Sequence, residues 1–193
     1  VANWYHSFSD NPSGRYCQMV PLEEYRLENA IVAILYPRIG LTYDDLFSLV
    51  RDLSAEDRNR IVSTYIGNRA HRRQRIGRAF ESVRYRFEIQ TNIGAWQDLH
   101  RHRLQTEFLP SFSTDLGYEV PPLVRELGWA DRYRSSMDMV PPLFEKLLKE
   151  GLYSESEYCV PLGYNLRWLT DLNLRQASYI AELRSSPSGH LDY

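Results

Sequence analysis

Three patterns place this chain in the α+β class. Apolar residues recur at helical spacing, with capping residues at the right places, through the first third of the sequence. ESVRYRFEIQ, residues 81–90, alternates Val83, Tyr85, Phe87 and Ile89 against Ser82, Arg84, Arg86 and Glu88, the signature of a half-buried strand. EYCVPLGYNLRWLTDLN, residues 157–173, mixes branched and aromatic residues around Pro161 and Gly163 and predicts a bent strand that runs into a helix over 173–184.

The elements follow in order. Residues 1–22 set Trp4, Tyr5, Phe8 and Tyr16 among turn formers at 10–14, which predicts an irregular arm, with His6 a surface residue. A helix is expected from Leu22 to Leu35, stopped by Pro37. Thr42 caps the next, with Asp44 and Asp45 in its first turn. Ser54 and Asp57 resemble a capping box for a third, which Gly67 ends. NRAHRRQRIGR, residues 68–78, carries five arginines and His71; it is either a solvated linker or a contact to phosphates. After the strand, Asn92 caps IGAWQDLHRHR, so Arg101-His102-Arg103 is expected at the end of a strand-to-helix unit. FLPSFSTDLGYEVPP is loop-rich, and Pro122 suits a helix start. Residues 129–150 predict a helix kinked or divided at Pro141-Pro142. The helix NLRQASYIAELR should turn Leu174, Ala177, Ile180 and Ala181 inward.

Composition excludes several classes of function. At 193 residues the chain can form one domain, burying about 70% of the surface its unfolded form exposes. A net charge of −2 gives no global argument for nucleic acid or a membrane surface. Lysine occurs only at Lys146 and Lys149, so 21 of the 23 basic residues are arginine, the side chain that grips phosphate through a rigid fork. Cys17 and Cys159 have neither metal-ligand spacing nor disulfide density, which favours a reducing cytoplasm and no metal. No apolar run approaches the ~20 residues of a membrane span. The chain begins at Val1 and its last helical signal is clipped, so it is expected to be a piece of a longer chain.

Chemistry concentrates at Arg101-His102-Arg103. Arg101 and Arg103 cannot lose their charge, so burial would demand an anionic partner or a full set of acceptors, whereas His102 titrates near neutrality. On residue types alone the run is also compatible with a solvated face at a helix C-terminus.

Two stretches together resemble the flavin-dependent thymidylate synthases. That family carries RHRxxSxNExSxR after a strand and a helix; here FESVRYRFEI (80–89) and RHRLQT (101–106) stand in the same order. Its C-terminal strand and helix are similar to residues 157–184. Cys159-Val160-Pro161 match its VLP, Asn173 and Arg175 its NxR, and Leu183-Arg184 its closing LR, so the resemblance covers about residues 80–193. It implies an α+β fold with a central antiparallel or mixed sheet flanked by helices. The implied reaction is the FAD-mediated reductive methylation of deoxyuridylate, with methylene-tetrahydrofolate and NADPH as co-substrates. It further implies that Arg101, His102, Arg103, Asn173, Leu174 and Arg175 hold FAD, and that Arg184 is catalytic at the pyrimidine ring. Arg101 and Ser111 would assist nucleotide binding. The implied assembly is a homotetramer or a pairing with a second domain of the same kind.

The departures cluster on the nucleotide side. Phe108 and Leu109 replace Asn-Glu, Ser113 replaces a phosphate-binding arginine, and Glu157 stands where a second such arginine belongs, while Thr106 and Ser111 keep hydroxyls. Losing one bidentate arginine–phosphate pair typically removes about 2–5 kcal/mol. Asp98 replaces a nucleotide-holding Gln, Ser82 a His, and Tyr179 a polar flavin neighbour. The expectation is a diverged member with a degraded deoxyuridylate site. The alternatives are an active synthase, a non-catalytic flavin-binding or structural partner domain, and an Arg-rich nucleic-acid module.

Overall fold

The computed structural model describes residues 14–22 and 24–185. Trp4, Tyr5, His6, Phe8 and the residues after Ser185 lie outside that range. Four strands form one antiparallel sheet in the order β1-β2-β4-β3, built from Tyr16–Val20, Arg84–Asn92, Gln105–Phe108 and Asn165–Asn173 for β1 to β4.

Three helices precede the long central strands: α1 (Arg26–Leu35), α2 (Tyr43–Asp52) and α3 (Ala55–Ile66). Thr42 and Ser54 cap α2 and α3 by accepting from the Asp45 and Asp57 N–H groups at 3.3 and 3.0 Å. Ile31, Val32, Leu46 and Val50 form their common core. A 3-10 turn, Arg78–Ser82, leads into β2, and Gly77 before it lies where a Cβ would overlap the Tyr65 ring.

Strand β2 runs straight into α4 (Ile93–Leu99), and β4 into α9 (Leu174–Arg184). Asparagine makes both junctions: Asn92 accepts from Ala95 N–H and Asn173 from Gln176 N–H, each at 2.8 Å. Between β3 and β4 lie α5 (Pro122–Glu126), α6 (Ala130–Met137), α7 (Val140–Lys149) and α8 (Tyr153–Ser156). Pro141-Pro142 does divide the 129–150 pattern into two helices, sitting in the first turn of α7 where missing N–H donors cost nothing.

Pleating separates the sheet's two faces. Ile89, Leu166 and Trp168 pack with Trp96, Phe144 and Tyr164 in the largest apolar cluster, and the Tyr164 hydroxyl donates to Met137 O at 2.7 Å. On the opposite face Arg86 lies across from Asp171 and binds it with two bonds of 2.6 Å.

Several expectations are corrected. Residues 16–20 are not part of an irregular arm but an edge strand paired with β2. Residues 157–164 are a 3-10 turn at Glu157–Cys159 and a connection, so the strand starts only at Asn165. Residues 105–108, of which only Phe108 was expected to be in a loop and the rest were assigned no element, form β3, because pairing to β4 supplies the stability that local propensity does not. Helix α4 ends at Leu99, which puts 101–103 in a turn rather than on a helix. Ala181 is exposed, and Gln176 is the buried residue of α9 among those described.

Trp168 is 2% exposed at the centre of the largest cluster. Trp168→Ala is expected to cost about 3–5 kcal/mol in urea denaturation, and a loss below about 1 kcal/mol would contradict this placement of the core.

Candidate functional site

The turn after α4 sorts its three cationic or titratable residues by direction. His102 is 6% exposed, whereas the Arg101 side chain is 76% exposed and lies 3.6 Å from Asp98 across the surface. Arg103 is also exposed. The reversal at Leu99, where Leu99 O accepts the His102 N–H at 3.1 Å, swings the imidazole inward and leaves the two guanidinium groups outside.

Inside, His102 meets α9. Arg184 Nε donates to His102 Nε2 at 3.2 Å, and its Nη2 donates to Asp98 O at 2.6 Å. The Tyr179 ring stands edge-on to His102 at 5.8 Å between centroids. A nitrogen that accepts from arginine carries no proton, so the imidazole is neutral with its hydrogen on Nδ1. Burial lowers the His102 pKa below its ordinary value, and the Arg184 charge lowers it further.

A cavity of about 260 Å³ opens on the neighbouring face of α9. Its lining includes Asn173, Arg175, Gln176 and Tyr179 at the α9 end, Leu104 after the turn, and Arg69, Arg72 and Arg75 of the loop before β2. Arg69 grips Glu182 with bonds of 2.6 and 2.9 Å. Arg175 donates to Ile76 O at 3.1 Å and pairs with Glu81. Both glutamates are held below the ordinary carboxylate range, Glu81 by Arg78 and then Arg175, Glu182 by Arg69.

Thus the structure brings His102 to Arg184, and Asn173 to Arg175, with Tyr179 common to both groups. It does not bring Leu174 to the cavity, since that side chain packs against Phe80 and Val83. Nor does it bring Ser111, which is exposed on the loop after β3. That loop is organised by acids: Phe112 N–H donates to Glu157 Oε2 at 3.0 Å, and Ser113 Oγ donates to Asp115 at 3.1 Å. Glu81, Gln176 and Glu182 were not anticipated. Arg69 and Glu182 are 113 positions apart, a separation at which a single sequence gives no signal.

Sequence comparison decides the family. Residues 24–193 match the family described as thymidylate synthase complementing protein. The chain belongs to that family. The match reaches further back than the two motifs do and takes in α1 to α3, helices whose residues carry little beyond caps and periodicity.

Among curated relatives of this thymidylate synthase complementing protein domain, a UPF0159 protein of Chlamydia muridarum is 33% identical over 161 residues, covering 83% of this chain and 30% of the relative. One from Chlamydia pneumoniae is 30% identical over 192 residues, covering all of this chain and 35% of the relative. The chain therefore spans about a third of the length of the curated relatives it matches. A solved structure, the UMP/dUMP methylase PolB of Streptomyces cacaoi bound with 5-Br dUMP, superposes with a TM-score of 0.66 at 16% identity. It covers 90% of this chain and 79% of that one, and shows that the fold is shared. No described helix is long and apolar enough to cross a membrane.

The His102 contact predicts a pH dependence. A base whose folded pKa lies below its unfolded value contributes stability that is complete above about pH 6.5 and is lost as pH falls toward the folded value. His102→Gln keeps an acceptor for Arg184 without a titrating group. Between about pH 7.5 and pH 5 the parent should lose more thermal stability than this variant; parallel curves would contradict a neutral His102.

Proposed function

We propose that this domain is a diverged flavin-dependent thymidylate synthase-like protein that keeps a face for FAD and has lost its hold on deoxyuridylate. The family is generally flavin-dependent. The observation that carries the reading is the cavity on α9, where Asn173 and Arg175 meet the arginine loop beside Leu104 and Tyr179. Four arginines and two glutamates line it, an excess of two positive charges that suits an anionic cofactor. Its 260 Å³ falls short of the roughly 300–1,000 Å³ of a complete ligand pocket, so a second copy or a sister domain would close the site. Relatives about three times as long favour the sister domain.

Bound flavin would supply the hydride chemistry, and the chain's own part is to bind, orient and exclude. Arg101 and Arg103 project from the turn where an exposed anionic ring or phosphate on a partner could meet them. Arg184 would be the residue at a pyrimidine. Held by His102 and Asp98 O, its guanidinium keeps one position before any ligand arrives.

Loss of deoxyuridylate rests on Glu157 and Ser113. A phosphate dianion approaching this loop would find the Phe112 N–H already taken by a carboxylate and Ser113 tied to Asp115. The nucleic-acid reading is weaker, because Arg69 and Arg78 of the basic run are paired with Glu182 and Glu81.

Titration of the assembled protein, with the partner copy or sister domain in place, tests this. FAD should bind, with absorbance near roughly 450 nm for the oxidised ring, and deoxyuridylate should not. Absence of flavin binding, or tight deoxyuridylate binding, would overturn the proposal. Combining Ser113→Arg with Glu157→Arg is expected to raise deoxyuridylate affinity about tenfold or more, read by calorimetry.

A further inference from the structure

The four arginines of the α9 cavity are not equivalent. Arg69 and Arg175 hold the loop in place: one is clamped to Glu182 on α9, the other reaches back to Ile76 O and Glu81. Arg72 and Arg75 also line the cavity, yet among the described residues neither side chain makes a hydrogen bond or an ion pair. Arg72 is a central residue of a turn closed by Gln74 N–H donating to His71 O at 3.0 Å, Arg75 directly follows that turn, and the Gln74 side chain accepts the Ala70 N–H at 2.6 Å. The backbone carrying them is thus fixed by its own bonds, and its ends by the two ion pairs. The same cavity is lined by Asn173, Arg175 and Gln176 from the start of the eleven-residue α9, whose N-terminal dipole favours negative charge.

We propose that Arg72 and Arg75 form a clamp for the diphosphate of a dinucleotide lying between this loop and the start of α9. The inference rests on the flavin reading for the identity of the dinucleotide, but not for the clamp itself. Charge supports the class. Four arginines against two glutamates leave a surplus of two positive charges in the lining, which matches the two negative charges of a diphosphate diester, although Glu182, clamped by Arg69, also feels the charge of Arg72. Two planar forks on one short turn can each take a separate phosphoryl group, whereas a single phosphate would satisfy only one bidentate pair. Leu104 and Tyr179 provide apolar surface beside the anion position, as a ring or ribityl chain requires.

The test measures binding of FAD, ADP, inorganic phosphate and riboflavin to the full chain and to its Arg72→Ala, Arg75→Ala double variant. Because these two side chains make no internal bonds, the variant should keep the parent's melting temperature. FAD and ADP should each weaken by about tenfold or more, riboflavin should be unaffected, and inorganic phosphate should bind the parent less tightly than ADP. FAD bound equally by parent and variant overturns the clamp and leaves the flavin reading standing. ADP bound through the two arginines without any flavin binding upholds the clamp and overturns the flavin reading. If the parent binds neither ADP nor FAD, or binds single-stranded nucleic acid in their place, the clamp is wrong.

Discussion

The register of β2 on β4 governs where everything else lies. Nine residue pairs join the strands, from Arg84 opposite Asn173 to Asn92 opposite Asn165. Each strand hands its chain directly to a helix through an asparagine cap, and antiparallel pairing puts those hand-overs at opposite ends of the sheet. Seven residues of α4 return about 10 Å along the sheet, and β3 then rejoins β4 with Gln105 opposite Leu172. The turn 101–104 is thereby delivered beside Asn173, where α9 begins, which is why Leu104 shares a cavity with Asn173 and why His102 lies in reach of Arg184. A slip of one residue would turn Trp168 outward and bring Asp171 into the core, so the register resists drift.

Arginine does two kinds of work here, and the partner opposite decides which. Arg86 with Asp171, Arg58 with Glu28, Arg69 with Glu182 and Arg175 with Glu81 are internal forks that tie distant segments together. A lysine would hold such a carboxylate as a point charge without fixing the angle between the segments. Arg101, Arg103, Arg72 and Arg75 have the same chemistry but face outward or into the cavity. Arg103, Arg72 and Arg75 therefore present charge to something outside the fold, whereas Arg101 shares its charge with Asp98.

Much of this scaffold was legible because its determinants are local. Thr42, Ser54, Asn92 and Asn173 each announce a helix start, and each does cap one. The strict alternation at 83–89 was enough to identify β2, since one face had to be buried. The edge strands were not legible: β1 and β3 are five and four residues long and owe their conformation to neighbours met only after the chain folds back. His102 shows the same limit within the site. The sequence placed it on the end of a helix running to Arg103, but the helix stops at Leu99, four residues earlier, and the chain turns back to pair β3 with β4. The family motifs singled out residues 101–106 and 157–184, whereas the link between Arg69 and Glu182 depends on a loop with no counterpart in those motifs.

Electrostatic closure differs between the two places where this chain presents anion-binding potential. At the loop after β3, Glu157 gives its carboxylate to the Phe112 N–H and Asp115 engages Ser113, so the backbone is ordered by anions the chain carries itself. An incoming dianion would meet there a backbone N–H already bonded to a carboxylate of the chain. At the α9 cavity the opposite holds. Two glutamates stand among four arginines, and the surplus lies on a turn held rigid by bonds that do not involve the surplus residues. Keeping like charges together in a concave site costs stability unless a counter-charge arrives. On the reading proposed above, a protein that has neutralised one such site from within and left the other unbalanced would take its anion at the second.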